Sequence, residues 1–213
     1  MVNRDLLEEA NLYFITSEAS SIPFHKQVLA ALDSGVKMIQ YRRKEGSTRE
    51  LYLEAKGIKE LCIGKALFII NDHLDIALAV GADGVHIGQD DLPGDKVRPF
   101  LGNMLLGIST HTMEQAEKAS EIADYIGIGP VHKTNTKKDS DDVLGVTKAL
   151  KIAKTVEIPT VAIGGIEYED LTLLAEEFNM VCAISSLFKG DILKERVKLF
   201  EEEFCIEKKR RLR

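Results

Sequence analysis

Leu12-Tyr13-Phe14-Ile15-Thr16-Ser17-Glu18-Ala19 starts apolar and turns polar without a single glycine. This stretch decides between two architectures. Short apolar runs alternating with helical segments fit either an open doubly wound sheet or a closed (β/α)8 barrel. An open sheet ordinarily carries a glycine-rich turn behind its first strand, where backbone must come close to a ligand. Thr16-Ser17-Glu18-Ala19 offers no such turn. A single TIM barrel is the expected fold.

Seven further runs follow: Met38–Arg42, Leu67–Asn71, Gly84–Ile87, Leu105–Ser109, Tyr125–Gly129, Thr160–Ile163 and Val181–Ser185. They read as near-continuous apolar stretches, as parallel strands do when both faces are buried. Helical signals lie between them. Ser47-Thr48-Arg49-Glu50 and Thr112-Met113-Glu114-Gln115 are capping-box patterns. Tyr168–Phe178 and Ile192–Phe204 are amphipathic, and Asp75–Val80 suits a short helix or turn.

The bulk numbers agree with one small barrel. The chain has 213 residues, 45% hydrophobic and 29% charged, enough apolar material for a core near the lower size limit of the fold. No linker or shift in composition divides it, which predicts one catalytic domain over residues 1–213. The basic tail, 205–213, is expected to end solvated and frayed from Lys208 onward. A net charge of −6 gives no field to recruit nucleic acid or an acidic membrane, so any anion must be held locally. Met1–Glu9 is charged where a secretory signal is apolar, and no run approaches a membrane span. Cys62, Cys182 and Cys205 are few and scattered, which suits a reducing compartment; the cytoplasm is the expected address. The oligomeric state is open, a homo-oligomer included.

Polar residues collect at one end of the strands. Gln40, Arg42 and Lys44 close the second, Asn71 and Asp72 the third, and Gln89–Asp91 follow the fourth. Ser109 and His111 close the fifth, the Thr134–Lys137 loop follows the sixth, Gly164-Gly165 the seventh, and Ser185-Ser186 the eighth. In a barrel these ends converge on the face that carries active sites. Alternation sends Gln40, Arg42 and Lys44 to one side of their strand and Tyr41 and Arg43 to the other. Two cations on the inward side suit a polyanion such as pyrophosphate. Asp72 and Asp91, after adjacent strands, can share a hard cation such as Mg2+, although Asp72, Asp90, Asp91 and Asp95 could equally cap helices. His73, His86 and His111 show no ligand spacing and are expected to orient their neighbours. Gly164-Gly165 and Ile184-Ser185 occupy the usual phosphate position of such barrels.

In this order the motifs resemble the thiamine-phosphate synthase family, over about Leu12 to Asp191. Gln40-x-Arg42-x-Lys44, Asn71-Asp72, Gly84-Val85-His86-Ile87-Gly88-Gln89-x-Asp91 and Ser109-x-His111 are similar to its motifs. So are Thr134-Asn135-Thr136-Lys137, Ala162-Ile163-Gly164-Gly165-Ile166 and Ile184-Ser185. The resemblance implies that Asp72 and Asp91 hold magnesium. It implies that Gln40, Arg42, Lys44, Asn71, Ser109 and Lys137 bind an aminopyrimidine methyl diphosphate, Ser109 and Lys137 being catalytic. Thr134, Thr136, Gly165, Ile184 and Ser185 would bind a thiazole phosphate, or its carboxylated form. The implied reaction is dissociative: pyrophosphate leaves, the aminopyrimidine stabilises the cation, and the thiazole nitrogen captures it. Departures are His132-Lys133 where an aromatic-Pro pair is common, Arg43 for Glu, and Phe178-Asn179-Met180 for Gly-Ala-Asp. A thiazole tautomerase shares the outline but has no need of the diphosphate cations or of both carboxylates. A non-catalytic phosphate-binding barrel is the other alternative.

Overall fold

Every one of the eight apolar runs forms a strand. The computed structural model describes residues 2–134, 142–190 and 192–211. In chain order the elements are α1 (Asp5–Glu9), β1 (Tyr13–Ile15), α2 (Phe24–Asp33), β2 (Met38–Tyr41), α3 (Thr48–Cys62) and β3 (Leu67–Asn71). Then come α4 (Leu74–Val80), β4 (Gly84–Ile87), α5 (Gly94–Leu101), β5 (Leu105–Thr110), α6 (Met113–Ser120) and β6 (Tyr125–Ile128). The last are α7 (Val146–Ala153), β7 (Thr160–Ile163), a 3-10 turn (Tyr168–Asp170), α8 (Leu171–Leu174), β8 (Met180–Cys182) and α9 (Leu193–Arg211). Strand order follows the sequence from β1 to β8. The bridge Leu12–Val181 and the bond from Val181 N to Asn11 O (2.9 Å) bring β8 back to β1. The sheet is a barrel.

Local chemistry explains where the reading and the structure part. Ser47 makes a complete capping box: Glu50 N donates to its Oγ (3.3 Å) and its own N donates to Glu50 Oε2 (2.7 Å). Thr112 makes half of one. Gln115 N reaches Thr112 Oγ1 (3.2 Å), but Gln115 Oε1 accepts from His111 N (2.7 Å) instead of from the cap. Helices α1, α2, α5 and α7 start without any side-chain cap, so their sequence gives no start signal. Tyr168–Phe178 is not one helix; it breaks into the 3-10 turn and the single turn of α8. Strand β8 stops at Cys182 rather than Ser185, because the chain turns there and Leu187 N bonds back to Ile184 O (3.1 Å). Within the expected frayed tail, residues 205–211 continue α9, and Lys208 Nζ donates to Ala10 O (2.9 Å).

Two apolar layers hold the barrel. One lies between the sheet and the helices. The other fills the interior with Tyr13, Met38, Leu67, Ile69, Leu105, Tyr125 and Met180, and Leu7 of α1 plugs it from below. Gly107 makes this filling fit, since a Cβ there would fall on the Tyr125 ring and against His86. The N-terminal strand ends are clamped by a recurring pair of bonds. Asp83, Asp124 and Asn179 each accept a backbone N–H on their side chain, from Phe68 (2.9 Å), Leu106 (2.8 Å) and Thr160 (2.9 Å). Each returns its own N–H to the carbonyl of that same residue. Asn179 is thus a structural residue. No helix among the described residues is long and apolar enough to cross a membrane.

Candidate active site

A cavity of about 410 Å³ opens at the C-terminal end of the strands. It is lined by Gln40, Arg42, Lys44, Asn71, Asp72, Asp91, Ser109, Thr134, Gly165, Ile184 and Ser185, every expected site residue that the structure describes. Thr136 and Lys137 lie outside the described residues.

The cationic wall is built by β2 and the loop after β1. Thr16 N donates to Gln40 O (3.0 Å) and Thr16 Oγ1 accepts from Arg42 N (2.9 Å), so backbone pairing continues past the strand's end. Glu18 then accepts from Lys44 N (2.9 Å) and Glu45 N (3.3 Å). Gln27, wholly buried, fixes that bracket by bonding Ser17 N, Ser17 O and Ile22 O. Alternation holds as expected. Tyr41 and Arg43 turn outward to share Glu54 Oε2, at 2.7 and 3.1 Å. The side chains of Arg42 and Lys44 make no hydrogen bond or ion pair among the described residues. Thr16, Glu18 and Gln27 escape sequence reading, because their partners are set by the loop's folded path.

Opposite stand two carboxylates. Asp72 takes a left-handed backbone (φ 60°), which Asp and Asn tolerate better than most residues, and its N donates to His86 O (2.9 Å). Asp91 Oδ2 accepts from Gly88 N (2.7 Å), a tight turn that aims the second carboxylate back at the first. Neither caps a helix: the N-cap positions of α4 and α5 are His73 and Pro93, and neither helix has a side-chain cap bond. Asp72 is an exposed residue of the cavity rim whose carboxyl is partly shielded from solvent by its neighbours. That shielding, and then the charge and hydrogen bond of Asp91, push its carboxyl up to about 6, with Arg42 pulling the other way. Two acids held together under partial burial form a site that favours a cation.

The remaining wall comes from β5 to β8. His111 Nδ1 donates to Gly129 O (2.6 Å), an orienting role of the expected kind, and Gln89 Nε2 donates to Ser109 O (2.6 Å). Gly164 and Gly165 both have positive φ (95° and 65°), and a Cβ on them would meet Pro130 and His132 respectively. Only glycine lets the loop after β6 lie this close to the turn after β7. His132 N donates to Gly164 O (2.9 Å), while its ring bonds Asp170 Oδ1 (3.0 Å) and so turns away toward the segment after β7.

Known proteins match this chain along nearly its whole length. Residues 12–187 match the family model described as thiamine monophosphate synthase. A thiamine-phosphate synthase of Methanosarcina barkeri is 39% identical over 92% of this chain and 90% of its own. One of Lawsonia intracellularis is 42% identical over 84% of each. Among solved structures, thiamine phosphate pyrophosphorylase from Pyrococcus furiosus superposes with a TM-score of 0.87 at 31% identity, covering 95% of this chain and 98% of that one.

Proposed function

Because the chain belongs to the thiamine monophosphate synthase family, we propose that its cavity joins an aminopyrimidine methyl diphosphate to a thiazole phosphate. The products are thiamine monophosphate and pyrophosphate. One observation carries this reading: Arg42 and Lys44, which have no ion-pair partner among the described residues, share a single cavity with the Asp72–Asp91 pair and the Gly164–Gly165 turn.

Arg42 and Lys44 bind the diphosphate. Arg supplies a planar fork of donors and Lys a mobile charge, and both stabilise the negative charge that grows on the departing oxygens. The bond from the methylene carbon to the diphosphate oxygen breaks with its electron pair on oxygen. The thiazole nitrogen then donates its lone pair to that carbon, forming the new C–N bond. No side chain needs to act as a nucleophile, so positioning and charge complementarity are the protein's work. Gly164, Gly165, Ile184 and Ser185 offer backbone and hydroxyl donors to the thiazole's phosphate, and Thr134 of the same cavity adds a hydroxyl; Thr136 is assigned to that phosphate by the family resemblance alone. Asn71 and Gln40 hold the pyrimidine side, and Ser109 and Lys137 complete it.

The carboxylate pair fits magnesium. It offers hard oxygen donors, few in number, beside a cationic wall that would hold the rest of a diphosphate, and Asp72 resists ionisation while the pair stands alone. Asp72 and Asp91 would hold the ion, which when bound supplies Lewis-acid neutralisation of the leaving group. The three free cysteines suit the cytoplasm as the place of reaction.

The test is an assay of the purified chain with both substrates, with and without magnesium, following pyrophosphate and thiamine monophosphate together. The reading requires pyrophosphate release that depends on magnesium and on both substrates. Rearrangement of a thiazole substrate with no pyrophosphate formed would make the chain a tautomerase instead.

A further inference from the structure

Below the cavity an unbroken line of hydrogen bonds crosses the barrel from β2 to β5. Gln40 Nε2 lies 2.7 Å from Tyr13 OH, and Tyr13 OH lies 2.8 Å from Tyr125 OH. Tyr125 OH reaches His86 Nδ1 at 3.1 Å, and His86 Nε2 reaches Ser109 Oγ at 2.9 Å. Gln40, Tyr13, Tyr125 and His86 are all buried, and Ser109 lines the cavity.

The line has a direction. An amide nitrogen only donates, so Tyr13 accepts from Gln40 and hands its one hydrogen to Tyr125. Tyr125 in turn hands its hydrogen to His86 Nδ1, which must present a lone pair. The ring hydrogen then sits on Nε2 and is donated to Ser109 Oγ. Ser109 has accepted, and its own hydrogen is left for the cavity. A buried hydroxyl that accepted from both sides would leave its own hydrogen unbonded, so reversing one member favours reversing the others, and the end residue biases the polarity of the whole line.

We propose that this line is a polarity selector: Gln40, acting through Tyr13, Tyr125 and His86, makes Ser109 a hydrogen-bond donor toward the bound ligand. The ligand atom that takes this hydrogen is therefore an acceptor, a ring nitrogen or an anionic oxygen. Tyr13, Tyr125 and His86 are positioning residues in this scheme. Which ligand meets the hydroxyl rests on the function proposed above; the polarity itself does not.

The experiment is nitrogen-resolved NMR of the ligand-free full chain with labelled histidine, the His86 signal being assigned by its loss in His86→Gln. The expected wild-type result is one tautomer with hydrogen on Nε2 and none on Nδ1. In Gln40→Glu the carboxylate can only accept, so hydrogen should move to Nδ1. In Tyr125→Phe the line is cut, and kcat/KM should fall roughly tenfold together with loss of the single tautomer. Hydrogen on Nδ1 in the wild type overturns the proposal. So does a tautomer unmoved in both folded variants, whatever their activity. An inactive wild type with the expected tautomer would sink the proposed function and leave the polarity standing.

Discussion

At the N-terminal end of the barrel, acidic side chains clamp the chain itself; at the C-terminal end, Arg42, Lys44 and Asp72 line the cavity. Asp83 bonds Phe68 N and Lys59 Nζ, and Asp124 bonds Leu106 N, Arg4 and Arg98. Glu201 reaches from α9 to Asn11 and Leu12 N. At the other end Arg42 and Lys44 make no hydrogen bond or ion pair among the described residues, and Asp72 is pressed against Asp91. Asp72 also sits at the one positive φ recorded for a non-glycine residue among those described. One end is arranged for stability. The other holds like charges together, beside cations that have no ion pair among the described residues, an arrangement a ligand can resolve.

The contrast can be broken most sharply at Arg42. Arg42→Ala should lower kcat/KM about 100-fold or more, as removal of a donor to growing anionic charge does, with thermal unfolding unchanged. A large drop in Tm alongside would move Arg42 to the structural side of the comparison.

Asp124→Ala should do the reverse. Losing the acceptor for Leu106 N costs about 2 kcal/mol, and exposed Arg4 adds little to that, while turnover per folded molecule stays as it was. Burial pushes the Asp124 carboxyl up, but Leu106 N–H, Arg4 and Arg98 together outweigh it and hold it below the usual range. A depressed folded-state value stabilises above the unfolded carboxyl's pKa of about 3.9 and is lost as pH falls through the folded value. Denaturant titrations should therefore show the deficit in full at pH 7 and shrinking below about pH 4. A deficit constant with pH would mean that charge plays no part.

The smallest effect has the opposite sign. Asp91→Asn keeps an oxygen for Gly88 N while removing one of two facing charges. It should raise stability by a few tenths of a kcal/mol after solvent screening, about a degree in Tm, while the magnesium-dependent turnover proposed above collapses. Calorimetry showing a fall in Tm would mean that the pair is not strained in the ligand-free state.

The barrel was legible because buried parallel strands need apolar runs on both faces, and Leu67–Asn71, Gly84–Ile87 and Thr160–Ile163 begin and end where the reading put them. The rim was legible for a related reason. Residues such as Gln40 and Arg42 interrupt those runs only at their C-terminal ends, where side chains meet the cavity rather than the core. What could not be read is everything that depends on closure. Tyr13 and Tyr125 are 112 positions apart, and Asn11 and Glu201 are 190 apart; no periodicity links them. Uncapped helices such as α2 and α7 were hidden too, since packing rather than a start signal defines them. His132 shows the limit at single-residue scale: its departure from the family pattern was plain, but not that Asp170 would draw its ring off the cavity.

The plug that α1 sets under the barrel, with Leu7 in the inner cluster, has a kinetic corollary. Among the described residues the barrel is stoppered below, so a ligand comes and goes at the C-terminal rim. On the function proposed above, a substrate resting nearer the Tyr13–Tyr125 floor has to enter ahead of one resting over it.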